Sequence, residues 1–168
     1  VSVIEVWAFA LCRSLTNVTL HEGTETIGDC AFRECANLTS INYPSTLREI
    51  GAYAFMYDSA LASPVILPEG MTNLGYAAYA YCSNIVSASL PGTLGDVQPF
   101  ALSFCTSLSK VTIGEGITSI GMAAFYESDN LDTIFVNCAV PPALGTYVDS
   151  VFTSFDATVV VPCGSQNA

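Results

Sequence analysis

The chain repeats one pattern of residues every 23 positions. An apolar marker residue, usually followed by glycine, recurs at this spacing with a single one-residue insertion, as Ile4, Ile27, Ile50, Leu74, Val97 and Ile120. A fixed period of about 20 to 50 residues is the signature of repeat architectures, in which each repeat packs only against its neighbours. The sequence therefore predicts a solenoid of about six coils.

Other positions keep the same register and predict the structure of one coil. Five residues after the marker, an inward aromatic side chain is expected in all coils but one, at Phe9, Phe32, Phe55, Tyr79, Leu102 and Phe125. Apolar residues alternate from Leu38 to Tyr43, which predicts a short strand with one buried face. A second extended piece runs from Leu47 to the marker, and the Ala-Phe segment after it is predicted to be a single helical or 3₁₀ turn. The inserted residue falls around Ser63-Pro64.

The repeat pattern ends after residue 137. The remaining sequence contains a Pro-Pro turn and a predicted terminal strand, Ala157 to Val161. Because the end of a solenoid exposes apolar core, we expect one domain made of a solenoid over residues 1–137 and a C-terminal cap over residues 138–168. The sequence begins within a repeat, so we expect that further N-terminal coils are missing or that this end meets a partner.

The composition excludes several classes of partner. Hydrophobic residues make up 51% of the chain, and polar residues or Gly and Pro interrupt each apolar run before the roughly 20 residues of a membrane span, so neither disorder nor membrane insertion is expected. Fifteen acidic and four basic residues give a formal net charge of −11. Nucleic acids and anionic lipids require clustered Lys or Arg, so neither is expected as a partner.

Eight residues after the marker, the coils carry Cys12, Cys35, Asp58, Cys82, Cys105 and Ser128. Neighbouring coils would hold two such cysteines close enough for a disulfide, but zinc-type Cys-X₂-Cys spacing is absent. Since the position also accepts Asp and Ser, we interpret it as a packing position whose side chain bonds a nearby backbone group. No metal or cofactor is expected, and a bridge between Cys138 and Cys163 stays open.

No set of residues has the spacing of a catalytic site. The only histidine, His21, occupies the turn position that holds Pro44 in the next coil. The acidic residues Glu127, Asp129 and Asp132 lack the glycine and the alternating ligand positions of a calcium loop. We interpret these residues as exposed turn residues and expect no enzymatic activity.

The unit CANLTSINYPSTLREIGAYAF, residues 35–55, resembles the repeat of BspA-type, or treponemal-type, leucine-rich repeat proteins, C..L..I.LP..L..IG..AF. The resemblance covers about residues 4–137 and implies a right-handed solenoid of the leucine-rich-repeat horseshoe class with a concave parallel sheet. It also implies a bacterial or protist surface protein that binds other proteins, including host matrix components. Departures from the pattern are Glu5 and Gln98 for the glycine, and Leu102 for the aromatic residue.

The outward positions of the concave strands form the candidate binding site: Asn17, Thr19, Ser40, Asn42, Ile66, Ser87, Ser89, Lys110, Thr112, Thr133 and Phe135. Rigid polar arrays suit protein or glycan surfaces, although Ser/Thr ladders also simply suit strands that face water. We expect a non-catalytic module of a secreted or cell-surface protein that binds a protein partner, such as a host or matrix protein, in adhesion. The alternative is a glycan-binding or spacer module attached to a secreted enzyme or cell-wall anchor. It ranks second because only Phe135 and Tyr43 place aromatic side chains near this face.

Overall fold

A computed structural model describes residues 2–145, 151–152 and 157–161. The chain forms a parallel β-solenoid of about six turns with almost no helix, as the repeat period predicts. Its strands are β1 Val3–Ile4, β2 Asn17–Val18, β3 Thr26–Ile27, β4 Ser40–Ile41, β5 Glu49–Ile50, β6 Val65–Ile66, β7 Asn73–Leu74, β8 Ser87–Leu90, β9 Asp96–Val97, β10 Lys110–Ile113, β11 Ser119–Ile120, β12 Thr133–Val136, β13 Ala143–Leu144 and β14 Thr158–Val160. A 3₁₀ helix spans Gly92–Leu94.

Each coil contributes to three sides of the solenoid. The even-numbered strands form the front sheet, in the orders β2-β4 and β6-β8-β10-β12-β14. The odd-numbered strands form the side sheet, in the orders β1-β3-β5-β7 and β9-β11-β13. Consecutive turns over residues 5–12, 28–35, 51–58, 75–82, 98–105 and 121–128 form the third side, the turn face. All strand pairs are parallel, so each coil continues the ladders of the coil before it.

The front sheet is interrupted at the inserted residue. Glu49 pairs with Asn73, a separation of 24, whereas Val65 pairs with Ala88, a separation of 23. The Ala62 amide still bonds the carbonyl of Thr39, 23 residues earlier, so the extra residue lies between Ala62 and Val65, which confirms the predicted place of the insertion. Because Pro64 has no amide hydrogen to donate to a ladder, β4 and β6 do not pair.

The side sheet is interrupted one coil later, where the Gly95 amide takes a different hydrogen-bond partner. The amide of Gly95 donates to the carbonyl of Gly92 at 3.2 Å, within the 3₁₀ turn. The equivalent amides of other coils donate to the preceding coil: those of Glu25, Arg48, Thr72 and Thr118. Gly95 has φ 70°, a left-handed conformation that glycine adopts without steric cost, and β7 is left unpaired with β9.

The expected helical or 3₁₀ turn at the Ala-Phe segment is wrong. In the second coil, three overlapping turns are closed by hydrogen bonds from Ala31, Arg33 and Cys35 to the carbonyl three residues earlier, at 3.1–3.2 Å. The alternate amides donate instead to the next coil: those of Cys30, Phe32 and Glu34, each at 2.9 Å. A helix would direct every amide along its own segment, whereas this arrangement gives every second amide to the neighbouring coil.

The aromatic side chains of the Ala-Phe segments point inward, as predicted. The rings of Phe9, Phe32, Phe55 and Tyr79 form a continuous stack, with centroids 5.3, 5.4 and 4.9 Å apart. Tyr79 is fully buried, and its hydroxyl donates to the hydroxyl of Tyr43 at 2.9 Å. The one side-chain polar atom of this stack is thus satisfied by a partner from the front side of the coil.

Beyond the last full repeat, the ladders gain one more level. Strand β13 pairs with β11, β14 pairs with β12, and the ring of Phe152 stacks on that of Phe125 at 5.3 Å. These contacts cover part of the apolar end of the sixth coil. The division into a solenoid over residues 1–137 and a cap over residues 138–168 stays a prediction.

The side chains eight residues after the marker bond the backbone, which confirms the packing interpretation. Each donates to the carbonyl of the aromatic position in the preceding coil, at 3.0–3.3 Å: Cys35 to Phe9, Cys82 to Phe55, Cys105 to Tyr79 and Ser128 to Leu102. Burial raises the pKa of the Cys35 thiol to about 11 and that of Cys105 to about 12. The cysteines of the described residues are free thiols, and the bridge considered between Cys138 and Cys163 involves a residue outside them.

Asp58 is the exception among these side chains. It is fully buried, its Oδ1 accepts a hydrogen bond from the Cys35 amide at 2.8 Å, and its Oδ2 has no partner. Burial raises the pKa of this carboxyl to about 8. The protonated acid can donate a hydrogen bond as the cysteines and Ser128 do, whereas the carboxylate can only accept.

Replacing Asp58 should therefore change how stability depends on pH. The folded-state pKa of about 8 lies above the unfolded value of about 3.9, so the folded state holds the proton more tightly. The free energy of unfolding should fall as pH rises from about 4 to about 8, by an amount set by about 1.4 kcal/mol per pKa unit, and then level off. Asp58→Ser should remove this decline, measured by urea denaturation across that range. Glu69→Gln also removes one carboxyl group, but at an exposed position, and should retain the decline. Equal slopes of the free energy of unfolding against pH in both variants would contradict the raised pKa of Asp58.

Candidate functional site

The outward side chains of the front sheet lie in two columns set by strand register. Lys110 is opposite Ser87 and Thr133, and Thr112 is opposite Ser89 and Phe135. The structure thus brings seven of the predicted site residues onto one sheet: Ile66, Ser87, Ser89, Lys110, Thr112, Thr133 and Phe135. Asn17 and Ser40 lie on the separate pair β2-β4, and Thr19 and Asn42 follow those strands, so the break at the third coil divides the predicted site.

Several polar side chains near the first coils already bond within the protein. The Asn42 side chain accepts from the Leu20 amide at 2.7 Å and donates to the Leu20 carbonyl at 2.8 Å. The Ser40 hydroxyl donates to Asn17 Oδ1 at 2.6 Å. In contrast, the hydroxyls of Ser89 and Thr112 bond no side chain or backbone group among the described residues. The five-stranded part of the front sheet therefore carries polar side chains that are not already used in hydrogen bonds to other described residues.

Apolar side chains flank this polar floor. Ile66, which pairs with Ser89, is 64% exposed, and Val160, which pairs with Phe135, is 40% exposed. The Lys110 ammonium lies 4.5 Å from the centroid of the half-buried Phe135 ring, a cation–π contact that holds the lysine against the sheet. Val160 was absent from the predicted site because it follows the last repeat, although its strand had been predicted.

The first coil presents a different kind of apolar surface. A cavity of about 570 Å³ there is lined by residues that include Ile4, Phe9 and Val18. Phe9 is 44% exposed, whereas Phe32, its equivalent in the next coil, is 1% exposed. This surface is the open end of the stack, where the strand edges and ring faces that inner coils use for pairing meet no coil. It requires no ligand to explain it.

His21 belongs to the first coil, whereas the acidic residues Glu127, Asp129 and Asp132 follow the marker of the sixth. His21 is exposed in a turn, where its carbonyl accepts a hydrogen bond from the Thr24 hydroxyl at 2.9 Å. Within the described ranges, no three or more His, Cys, Asp or Glu side chains are grouped to hold a metal ion. Also within them, no helix has the length and apolar character needed to cross a membrane.

Comparison with known proteins identifies the repeat. The model of the BspA type leucine rich repeat region matches residues 2–132, with six copies. The chain belongs to this BspA-type leucine-rich repeat family. No curated protein matches the chain.

Solved structures show the same solenoid in bacterial leucine-rich repeat proteins. A leucine-rich repeat protein of T. pallidum shares 27% identity at a TM-score of 0.80, over 86% of this chain and 67% of its own. A leucine-rich cell surface protein of Faecalibacterium prausnitzii shares 30% identity at a TM-score of 0.75, over 84% of this chain and 38% of its own. The pneumococcal vaccine antigen PcpA shares only 21% identity at a TM-score of 0.74, over 95% of this chain and 39% of its own, and supports the fold alone. The chain thus spans well under half the length of two of these relatives.

Replacing one exposed and one buried isoleucine of the front sheet should have very different effects on stability. Ile66→Ala removes a side chain that is 64% exposed, so its effect on the free energy of unfolding should stay under about 1 kcal/mol. Ile113→Ala, at a fully buried position of β10, should cost about 2–5 kcal/mol. Urea denaturation measures both. Similar costs for the two variants would show that Ile66 packs into the core.

Proposed function

We propose that this leucine-rich repeat module is a non-catalytic, protein-binding part of a secreted or cell-surface protein, and that it binds through the front sheet. The BspA-type repeat supports an interaction module. The F. prausnitzii relative, at 30% identity, is described as a cell surface protein, which supports the same location here. The role proposed for the module is adhesion to a host or matrix protein.

The arrangement of apolar and small polar residues on the front sheet carries the proposal. Ile66 and Phe135 lie in the same outward column, three strand spacings or about 14 Å apart, with Ser89 and Thr112 between them. Protein interfaces characteristically combine a few apolar or aromatic anchors with polar groups around them. The short Ser and Thr side chains allow a partner backbone to come close to the sheet.

Lys110 gives this surface a charge that differs from the rest of the module. No other Lys or Arg occurs after Arg48 in the sequence. The lysine projects from the front sheet, and its ammonium is held by the Phe135 ring. An acidic group on the partner would therefore find one defined cationic contact in an otherwise acidic protein, which favours one orientation of binding.

The glycan-binding alternative receives less support from the geometry. Glycan sites of this kind stack sugars on open aromatic faces. Of the two aromatic residues considered, Phe135 lies under the Lys110 ammonium, and the Tyr43 hydroxyl already bonds that of Tyr79. Protein binding is therefore the better-supported function.

Binding assays with front-sheet variants test the proposal. The module would be measured by biolayer interferometry against a panel of purified matrix proteins, and on a glycan array. For a protein that binds, Ser89→Trp and Phe135→Asp should each weaken affinity about tenfold or more, because both residues lie within the proposed contact. Asn73→Trp, at an exposed position of the side sheet, is the control and should leave affinity within about twofold.

Three results would contradict the front-sheet proposal. Unchanged affinity of the Ser89 and Phe135 variants would place binding elsewhere on the module. Weakening by Asn73→Trp alone would place it on the side sheet. Binding confined to glycans would support the alternative function. Circular dichroism of each variant confirms that the solenoid is folded before its affinity is interpreted.

A further inference from the structure

A column of large side chains runs along the turn face, on a different side of the coil from the front sheet. It lies seven residues after the marker and consists, from the second coil to the sixth, of Glu34, Tyr57, Tyr81, Phe104 and Glu127. We name these five residues the turn-face ladder. The rings of Tyr57 and Tyr81 lie 4.6 Å apart, and those of Tyr81 and Phe104 lie 4.2 Å apart, in both cases stacked.

The ladder remains accessible to a partner. Tyr57 is 39% exposed, and Tyr81 and Phe104 are half-buried. Stacking on both neighbours covers the faces of the Tyr81 ring, so the edge of this ring is the part left to meet solvent. The Tyr57 ring stacks only on the Tyr81 side among the described residues, and towards Glu34 it lines an open cleft of about 490 Å³.

The backbone does not require large side chains at these positions. All five ladder residues are left-handed, with φ between 55° and 69°. For residues other than glycine this conformation costs roughly 1–2 kcal/mol, and glycine or asparagine would adopt it most readily. The turn-face positions nevertheless carry Glu and aromatic residues. The choice of residue is therefore explained by contacts of the side chains and not by the backbone conformation. Ring stacking accounts for part of this, but the two glutamates do not stack.

The glutamates bracket the rings at both ends. Glu34 and Glu127 occupy the same column four coils apart, which is about 19 Å at the spacing of parallel strands. Glu34 lies 3.8 Å from Arg13 and 3.5 Å from Arg33, distances longer than a charge-assisted hydrogen bond. At the other end, Glu127 beside Tyr126 raises the pKa of that phenol. The sequence between these ends has Arg48 and Lys110 as further cations, and they belong to the other two sides of the coil.

We propose that the turn-face ladder binds an extended, basic polypeptide segment that runs along the solenoid axis, with Lys or Arg side chains about six residues apart and apolar residues between them. An extended chain rises about 3.3 Å per residue, so residues i and i+6 are about 20 Å apart, which matches the two glutamates. The apolar residues of the segment contact the edges of Tyr57, Tyr81 and Phe104. The net charge of −11 attracts such a segment over a longer range.

The same face already holds one cation on an aromatic ring. The Arg33 guanidinium lies 5.7 Å from the centroid of the Trp7 ring, on the turn face of the first two coils. A basic side chain of the partner would take an equivalent place in the cleft between Tyr57 and Glu34, where it would compete with Arg13 and Arg33 for the carboxylate. This surface is separate from the front sheet, so the inference does not depend on the proposed function.

Two fluorescent nonapeptides of identical composition test the spacing. One carries Arg at positions 2 and 8 with alternating Val and Thr between them; the other carries the two Arg residues side by side. Fluorescence anisotropy at about 0.15 M salt, where long-range attraction is screened beyond about 8 Å, should show at least fivefold tighter binding of the spaced peptide. Equal affinity for the two peptides would overturn the proposal, because non-specific attraction to an acidic protein ignores spacing.

Variants at constant net charge test the rings. Tyr81→Gly with Phe104→Gly removes two rings at positions where φ suits glycine, and should weaken binding of the spaced peptide about tenfold or more. The matched control, Tyr53→Gly with Phe100→Gly, changes the left-handed positions four residues before Tyr57 and Phe104 and should stay within about twofold. Equal binding by both double variants would overturn the proposal.

Charge variants provide a second route that leaves the rings in place. Glu34→Gln with Glu127→Gln should abolish the preference for the spaced peptide, whereas Glu69→Gln with Glu115→Gln, which changes net charge equally at exposed positions, should retain it. Arg13→Ala, which removes one of the two cations beside Glu34, should tighten binding, and Arg48→Ala should not. The same weakening in both glutamine pairs would show that only total charge matters. Phe135→Asp, in the front sheet, should leave peptide binding unchanged.

Discussion

Hydrogen bonding between coils is the constraint on which the rest of the structure depends. A single coil buries too few apolar side chains to offset the conformational entropy of ordering about 23 residues, so each coil depends on its neighbours. On two sides, parallel strands supply these contacts. On the third, every second amide of the turns supplies them, as those of Cys30, Phe32 and Glu34 do towards the third coil. The turn face therefore contributes to the hydrogen bonding between coils just as the two sheets do.

This use of the amides determines the backbone of the turns. Alternate residues must turn their N–H groups out of the coil, which places two residues of each turn in the left-handed region, Cys30 and Glu34 in the second coil. Residues at such positions are held rigidly, because hydrogen bonds to neighbouring coils fix the conformation on both sides. Side chains there repeat at the spacing of the coils, and this is why Tyr81 and Phe104 stack at 4.2 Å.

The sequence predicts the features that follow from the 23-residue period. It does not predict those that depend on which partner an individual backbone amide bonds. The 23-residue repeat was sufficient for the coils, the inward stack of Phe32 and Phe55, and the insertion near Pro64. It was not sufficient for the tandem turns, since a short Ala-Phe segment is compatible with a helical turn until the neighbouring coil competes for its amides. Nor did it predict the break at Gly95, where one N–H bonds its own turn instead of the preceding coil.

The two candidate surfaces differ in how much the sequence could have revealed. The outward residues of the strands follow from alternation, so Ser89 and Thr112 were predicted as site residues. The turn-face ladder follows from the same register, because Tyr57, Tyr81 and Phe104 share one position in successive coils. A helical turn would direct these rings differently, so the sequence register alone does not place them on one surface. The left-handed conformation at this position is what aligns them in a column.

The inter-coil bonds also indicate which outward residues are free to bind a partner. The Asn42 amide joins two coils through the backbone of Leu20, so a partner could use it only at the expense of the solenoid. Ser89 and Thr112 make no such bond among the described residues, and their neighbour Ile66 projects into solvent. Since coils stack as near-rigid layers, residues of this second kind can change without altering the layers beneath them. A repeat protein of this family can therefore vary its binding surface at the outward positions that carry no inter-coil bond, while the others are held by the fold.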